Sequence, residues 1–119
     1  MDALLLSAET LLPVHLDDNR VLLLLNQAAS IDAGNPRIFS TRGWFYLFTL
    51  NDRERSEKDF REALRLSNDA DLLAWKGLGY VLMLKGEKAE SLAAFKKYLL
   101  TNKDDAEAIA LVKRLENPQ

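Results

Sequence analysis

The eight residues 75–82 read "WKGLGYVL". They set Trp75, Gly79 and Leu82 at i, i+4 and i+7, which is the spacing of one helix face. The chain has already written that face once, 36 residues earlier, as Phe39, Gly43 and Tyr46. A second half follows each time. Ser56, Phe60 and Ala63 recur 35 residues later as Ser91, Phe95 and Tyr98. A period of this size is the signature of stacked helical units, each unable to bury its apolar face alone. The small residues explain why each unit is a hairpin. Gly43 opposite Ser56, and Gly79 opposite Ser91, let two arms approach until Phe60 and Phe95 pack beneath them, where a bulkier residue would wedge the arms apart. The alternative is an ordinary helical bundle with incidental glycines.

Working outward, apolar residues recur at three and four between short turn signals, which predicts seven helices near 2–12, 18–32, 36–50, 54–67, 70–85, 88–101 and 104–116. Pro13 stops the first, and Asp17 or Asp18 caps the second. Gly34 suits a left-handed helix end and Pro36 a first helical turn. Asn51-Asp52, Asn68-Asp69 and Lys85-Gly86 break the rest. No bounded run alternates apolar and polar residues as a strand would.

The repeated pattern resembles the tetratricopeptide repeat. Trp75, Leu78, Gly79 and Phe95 stand where that family has Trp, Leu-Gly and a later aromatic. Leu82 replaces its Tyr, Ser91 its usual Ala and Lys103 its Pro. The preceding unit is similar through Phe39, Gly43, Tyr46, Ser56, Phe60 and Ala63, with Asn68 for the Pro. A weaker likeness runs through "NQAASIDAGNP", residues 26–36, where Ala28, Ile31 and Asp32 are in register. The resemblance implies an all-α, right-handed superhelix of about three hairpins plus a C-terminal end helix in one domain spanning 1–119. Its parts are a degenerate repeat at 1–35, repeats at 36–71 and 72–103, and an end helix in 104–119. In that helix Ala108, Leu111 or Val112, and Leu115 form one stripe, with Asp104 and Asp105 at the positive end of its dipole and Lys113 and Arg114 at the negative end.

Composition narrows the function. The chain has 119 residues, 48% hydrophobic and 29% charged, and a net charge of −2, so nothing draws it to nucleic acid or an anionic membrane. The basic side chains at 53–65 are offset by four acids, leaving +1. The longest apolar runs, such as Val21–Leu25 and Trp44–Phe48, are five residues, too short to cross a bilayer. Met1-Asp2 followed by Glu9 and Pro13 does not read as an export signal, which leaves a cytoplasmic location as the expectation. There is no Cys and one His, His15, so a thiolate nucleophile, a His-based metal site and a Ser-His-Asp relay cannot be assembled. Glycines do not follow a strand as a phosphate-binding loop requires. The pairs Glu54 with Lys58 and Glu57 with Arg61, four apart and acid first, read as a solvated helix face. No catalysis and no cofactor are expected.

What remains is "GWFYLFTL", residues 43–50, apolar on every side. A helix of that kind has no solvent face. Phe39, Gly43 and Tyr46 meet the hairpin partner, and Phe45 and Leu50 meet neighbours. In the tetratricopeptide register the others line a concave groove. The resemblance therefore implies a peptide-binding strip of Trp44, Leu47 and Phe48 from one unit and Leu73, Lys76, Tyr80, Met83 and Leu84 from the next. A carboxylate clamp of Lys and Asn side chains is absent, because its positions hold Leu6, Thr10, Thr41, Leu73 and Gly77, and Lys76 alone does not restore it. The expected activity is that of an adaptor or chaperone holding an apolar or amphipathic polypeptide. Two alternatives stay open: the strip is covered within the chain, or it is buried between copies in a homo-oligomer.

Overall fold

The computed structural model describes residues 17–117. The expected first helix, His15, Leu6 and Thr10 lie outside them. The described chain forms six helices and no strand: α1 (Asp18–Ile31), α2 (Pro36–Phe48), α3 (Arg53–Ser67), α4 (Leu72–Leu84), α5 (Lys88–Leu99) and α6 (Ala106–Glu116). The fold is all-α.

Short polar side chains start five of these helices by accepting a free first-turn N–H. Asp17 takes that of Arg20 at 2.8 Å, Asn35 that of Arg37 at 3.0 Å ahead of Pro36, and Asp52 that of Arg55 at 3.1 Å. Asp71 and Asp105 do the same for Ala74 and Ala108. Left-handed residues turn the chain at Asn51, Asn68, Asp69 and Gly86. Gly34 does not have positive φ. The α1 end is closed instead by the Asp32 N–H on the Ala28 carbonyl, and the Asn35 N–H returns to the Asp32 carbonyl.

Each helix packs on its sequence neighbour as two hairpins, α2 with α3 and α4 with α5; α2 also lies against α4, α3 against α4, and α6 closes on α5. One core joins the hairpins: Leu47, Phe60, Ala63, Leu64, Ala74, Leu78, Val81, Leu82 and Ala94. A second, of Phe95, Tyr98, Ala108 and Leu111, fixes α6.

Glycine sets how near the helices come. A Cβ on Gly43 would stand 2.7 Å from the Phe60 ring, and one on Gly79 2.8 Å from the Phe95 ring, distances no real side chain holds. A Cβ on Gly77 would overlap Phe60 as well. Phe60 is thus held between α2 and α4 by two glycines. Gly77 is a buried packing position rather than a place in a groove.

Candidate functional site

Where α2 and α4 run side by side, their aromatic residues form a connected set. The Trp44 indole N–H donates to the Leu73 carbonyl at 3.2 Å, which ties one helix to the other. The Trp44 ring stands edge-on to Phe60 and to Tyr80, with centroids 5.6 and 5.7 Å apart. Phe48 lies one turn on, stacked on Trp44 at 5.2 Å and 11°. Tyr80 closes the set edge-on to Phe48 at 6.0 Å and to Phe95 at 5.4 Å. Each such pair contributes about 0.5–1.5 kcal/mol beyond its buried area, so the rings are held in place before anything binds. The set runs from the fully buried Phe60 and Phe95 to the surface, where Phe48 is 62% exposed and Leu84 43%.

The other expected strip residues divide. Leu73 is half-buried and gives its carbonyl to Trp44. Met83 is half-buried and packs on the core that fixes α6. Leu47 is a correction: it is buried in the inter-hairpin core and faces no groove. The tetratricopeptide register put Leu47 beside Trp44 and Phe48 on the open side, but α2 is covered on several sides by α1, α3 and α4, and Leu47 falls toward the interior.

Lys76 is engaged within the chain. Its ammonium donates to Asp105 at 2.8 Å, reaches Glu107 at 3.2 Å and lies 5.5 Å above the Tyr98 ring. Tyr98 O–H donates to the same Asp105 carboxylate at 2.6 Å, and Asp105 also caps α6. Hydrogen bonds from Lys76 and then Tyr98 hold the Asp105 carboxyl far below the usual carboxylate range. Burial disfavours the Lys76 charge, but its hydrogen bonds to Asp105 and Glu107 outweigh that and raise its pKa well above normal. Burial, then the Glu107 carboxylate, push the Tyr80 phenol up to about 12. The edge of the strip therefore offers no free cation at Lys76.

Among the described residues no group of three or more His, Cys, Asp and Glu side chains is placed to hold a metal ion, and no helix is long and apolar enough to cross a membrane. The pair Glu57 with Arg61 forms at 2.9 Å, whereas Glu54 turns to Lys85 at 3.0 Å and leaves Lys58 without an ion pair among the described residues. Spacing along one helix cannot rank a partner on the next element, and Lys85 lies at the end of α4.

Sequence reasoning missed the partly buried pair of Arg42 and Asp59, two 2.8 Å hydrogen bonds between α2 and α3. The available signal was Arg42 directly before the apolar run Trp44–Phe48 and an Asp next to Phe60. No protein-family model matches this chain, and no curated protein matches it.

Proposed function

We propose that this chain is a helical-repeat protein of the tetratricopeptide type, stacked as a right-handed superhelix, that holds an apolar or amphipathic polypeptide segment as an adaptor or chaperone. The observation that carries this reading is Phe48: a phenyl ring largely in water, yet fixed by stacking on Trp44 and by the edge of Tyr80. A rigid exposed aromatic, with an exposed Leu84 one turn after Tyr80 on α4, gives a partner apolar contact with little side-chain entropy left to lose. Its size favours a short segment over a second copy. A whole aromatic side chain buries roughly 150–250 Å2. Phe48 and Leu84 together fall well short of the roughly 800 Å2 that each partner gives a standard interface. With Lys76 engaged, the segment's anchor at this strip is apolar rather than a carboxylate.

The test is selection of displayed 16-residue peptides on the intact protein, followed by affinity measurements on variants. Phe48→Ser should weaken a selected peptide at least tenfold while the chain stays folded, its unfolding midpoint lowered only by the loss of the ring contacts to Trp44 and Tyr80, and Tyr80→Ala should weaken binding further. Peptides that bind both variants as well as the parent would remove the strip from the binding surface. Light scattering over a hundredfold concentration range then separates the readings, since a dimer dissolved by Phe48→Ser would make a second copy the occupant.

A further inference from the structure

On the other side of α2, between α2 and α3 and beside the Arg42 bond to Asn26 of α1, the surface opens into a cavity of about 340 Å3 lined by Phe39, Arg42, Tyr46, Arg55, Lys58, Asp59 and Glu62. Arg42 and Trp44 are two residues, about 200°, apart on the helix, so this cavity and the aromatic strip face opposite ways.

The second hairpin shows what this place is when it only packs. Moving 36 residues along α2 and 35 along α3, Arg42, Tyr46 and Asp59 become Leu78, Leu82 and Ala94, all in the inter-hairpin core. In the first hairpin the same face is charged, and the described residues leave the space open as a cavity. Burying an ion pair where apolar residues fit gives no stability advantage as a rule, so the charges are not accounted for by packing.

The hydrogen bonds separate the walls into used and unused groups. Arg42 uses three of its five N–H donors, with Nε and Nη2 on Asp59 and Nη1 on Asn26 of α1 at 3.0 Å, and its plane lies over Phe39 at 5.2 Å. Both Glu62 oxygens are taken by Arg65. Arg55 gives one Nη1 bond to Asp52 at 3.2 Å, and its side chain is 70% exposed. Lys58 has no ion pair among the described residues. Three cations (Arg42, Arg55, Lys58) and two anions (Asp59, Glu62) leave the cavity at +1.

We infer that this cavity is a second binding site, which takes a single carboxylate on a small carrier, with Lys58 and the free edge of Arg55 as its donors and the Phe39 and Tyr46 rings as its apolar wall. One carboxylate brings the lining charge to zero, whereas a doubly charged phosphate would overshoot it beside Asp59 and Glu62. The volume is at the small end for ligand pockets, which suits a glutamate-sized group rather than a cofactor.

The test is a titration of the 15N-labelled full chain, at low salt, with three probes: N-acetyl-Ala-Glu-Ala-amide, its Gln counterpart and succinate. The Glu peptide should shift the amides around Phe39, Arg55 and Lys58 saturably, with a Kd in the range of about 1–10 mM. The Gln peptide should not. Lys58→Ala, at an exposed position without an ion pair among the described residues, should weaken the Glu peptide at least fivefold with an unchanged unfolding midpoint, and Arg55→Gln is the second variant should the first not fold. Succinate binding tenfold tighter than the peptide would make a free small acid the source of the carboxylate; equal or weaker binding would make it a side chain. The inference is overturned by no saturation with either acid, by equal shifts from the Gln peptide, or by variants that bind as the parent does. Phe48→Ser, which tests the strip, should leave these shifts intact, so the two sites can fail separately.

Discussion

The second hairpin receives α3 on Leu78, Leu82 and Ala94, while the first lines a cavity with Arg42, Tyr46 and Asp59 and sends Arg42 to Asn26 of α1. The hairpins themselves are built alike, with a Phe under a Gly and a buried Ser on the second arm. They differ at the seams. Between the hairpins the seam is dry and glycine-tight, because Phe60 reaches both Gly43 and Gly77. Thirty-four residues beyond Gly77, α6 carries Leu111, so Phe95 meets a glycine on one side and a side-chain core on the other. At the α1 seam a smaller core of Ala28, Ala29 and Ile38, with Phe39 packed on it, is joined by the Arg42–Asp59 ion pair and a cavity. A repeat pattern in the sequence thus specifies the unit more firmly than the joint, and the joints are where this molecule varies its chemistry.

The largest expected effect lies at the tight seam. Phe60→Ala removes a ring that two helices close upon, and its cost should fall near the top of the roughly 3–5 kcal/mol range for buried aromatics. Phe95→Ala should cost about 1 kcal/mol less, because Leu111 and Tyr98 can move into the space as backbone at Gly77 cannot. Urea unfolding of both variants makes the comparison, and equal losses would show that the second glycine adds nothing.

The sequence made the units legible. Helix ends fall within two residues of expectation, since Asp, Asn and Pro mark the starts by local hydrogen bonding and fixed φ. The Gly43–Phe60 and Gly79–Phe95 contacts were also readable, being repeated at one spacing. What was not readable depends on neighbours in space. Leu47 and Phe48 are adjacent, both large and apolar, and only the position of α4 decides that one is core and the other surface. Lys76 looked free until α6 brought Asp105 and Glu107 to it. Ser40, its equivalent 36 residues earlier, meets Asp71 at 3.3 Å, so a side chain reaching the cap of the next first helix is a feature of both joints, hidden because the partner residues differ.

The ion-paired seam gives the next effect. Asp59→Ala leaves the Arg42 guanidinium, 19% exposed, without its carboxylate and should cost about 3 kcal/mol. Installing the second hairpin's residues together, Arg42→Leu with Asp59→Ala, should restore most of that loss, bringing stability within about 1 kcal/mol of the parent. Thermal and urea unfolding of the single and double variants measure it. A double variant as unstable as the single one would mean that the first seam needs its charges for the fold, and the case for a binding role there would weaken.

The smallest effect sets the two buried serines against each other. Ser91 Oγ donates to the Gly79 carbonyl at 2.7 Å, joining the arms of the second hairpin. Ser56 holds the same place in the first, is equally buried, and its Oγ has no partner among the described residues. The turns before them differ: four residues separate α2 from α3 and three separate α4 from α5, and the longer turn goes with the lost bond. A buried hydroxyl without a partner is a cost, and one with a partner contributes about 1 kcal/mol net. Ser91→Ala should therefore destabilise by about 1 kcal/mol, while Ser56→Ala should change stability by less than about 0.5 kcal/mol or raise it slightly. Both variants remove one oxygen from a fully buried site, so the difference between them isolates the hydrogen bond from the cavity. If Ser56→Ala costs as much as Ser91→Ala, the hydroxyl at 56 has found an acceptor in solution, and the longer turn has not separated the two hairpins as their geometry indicates.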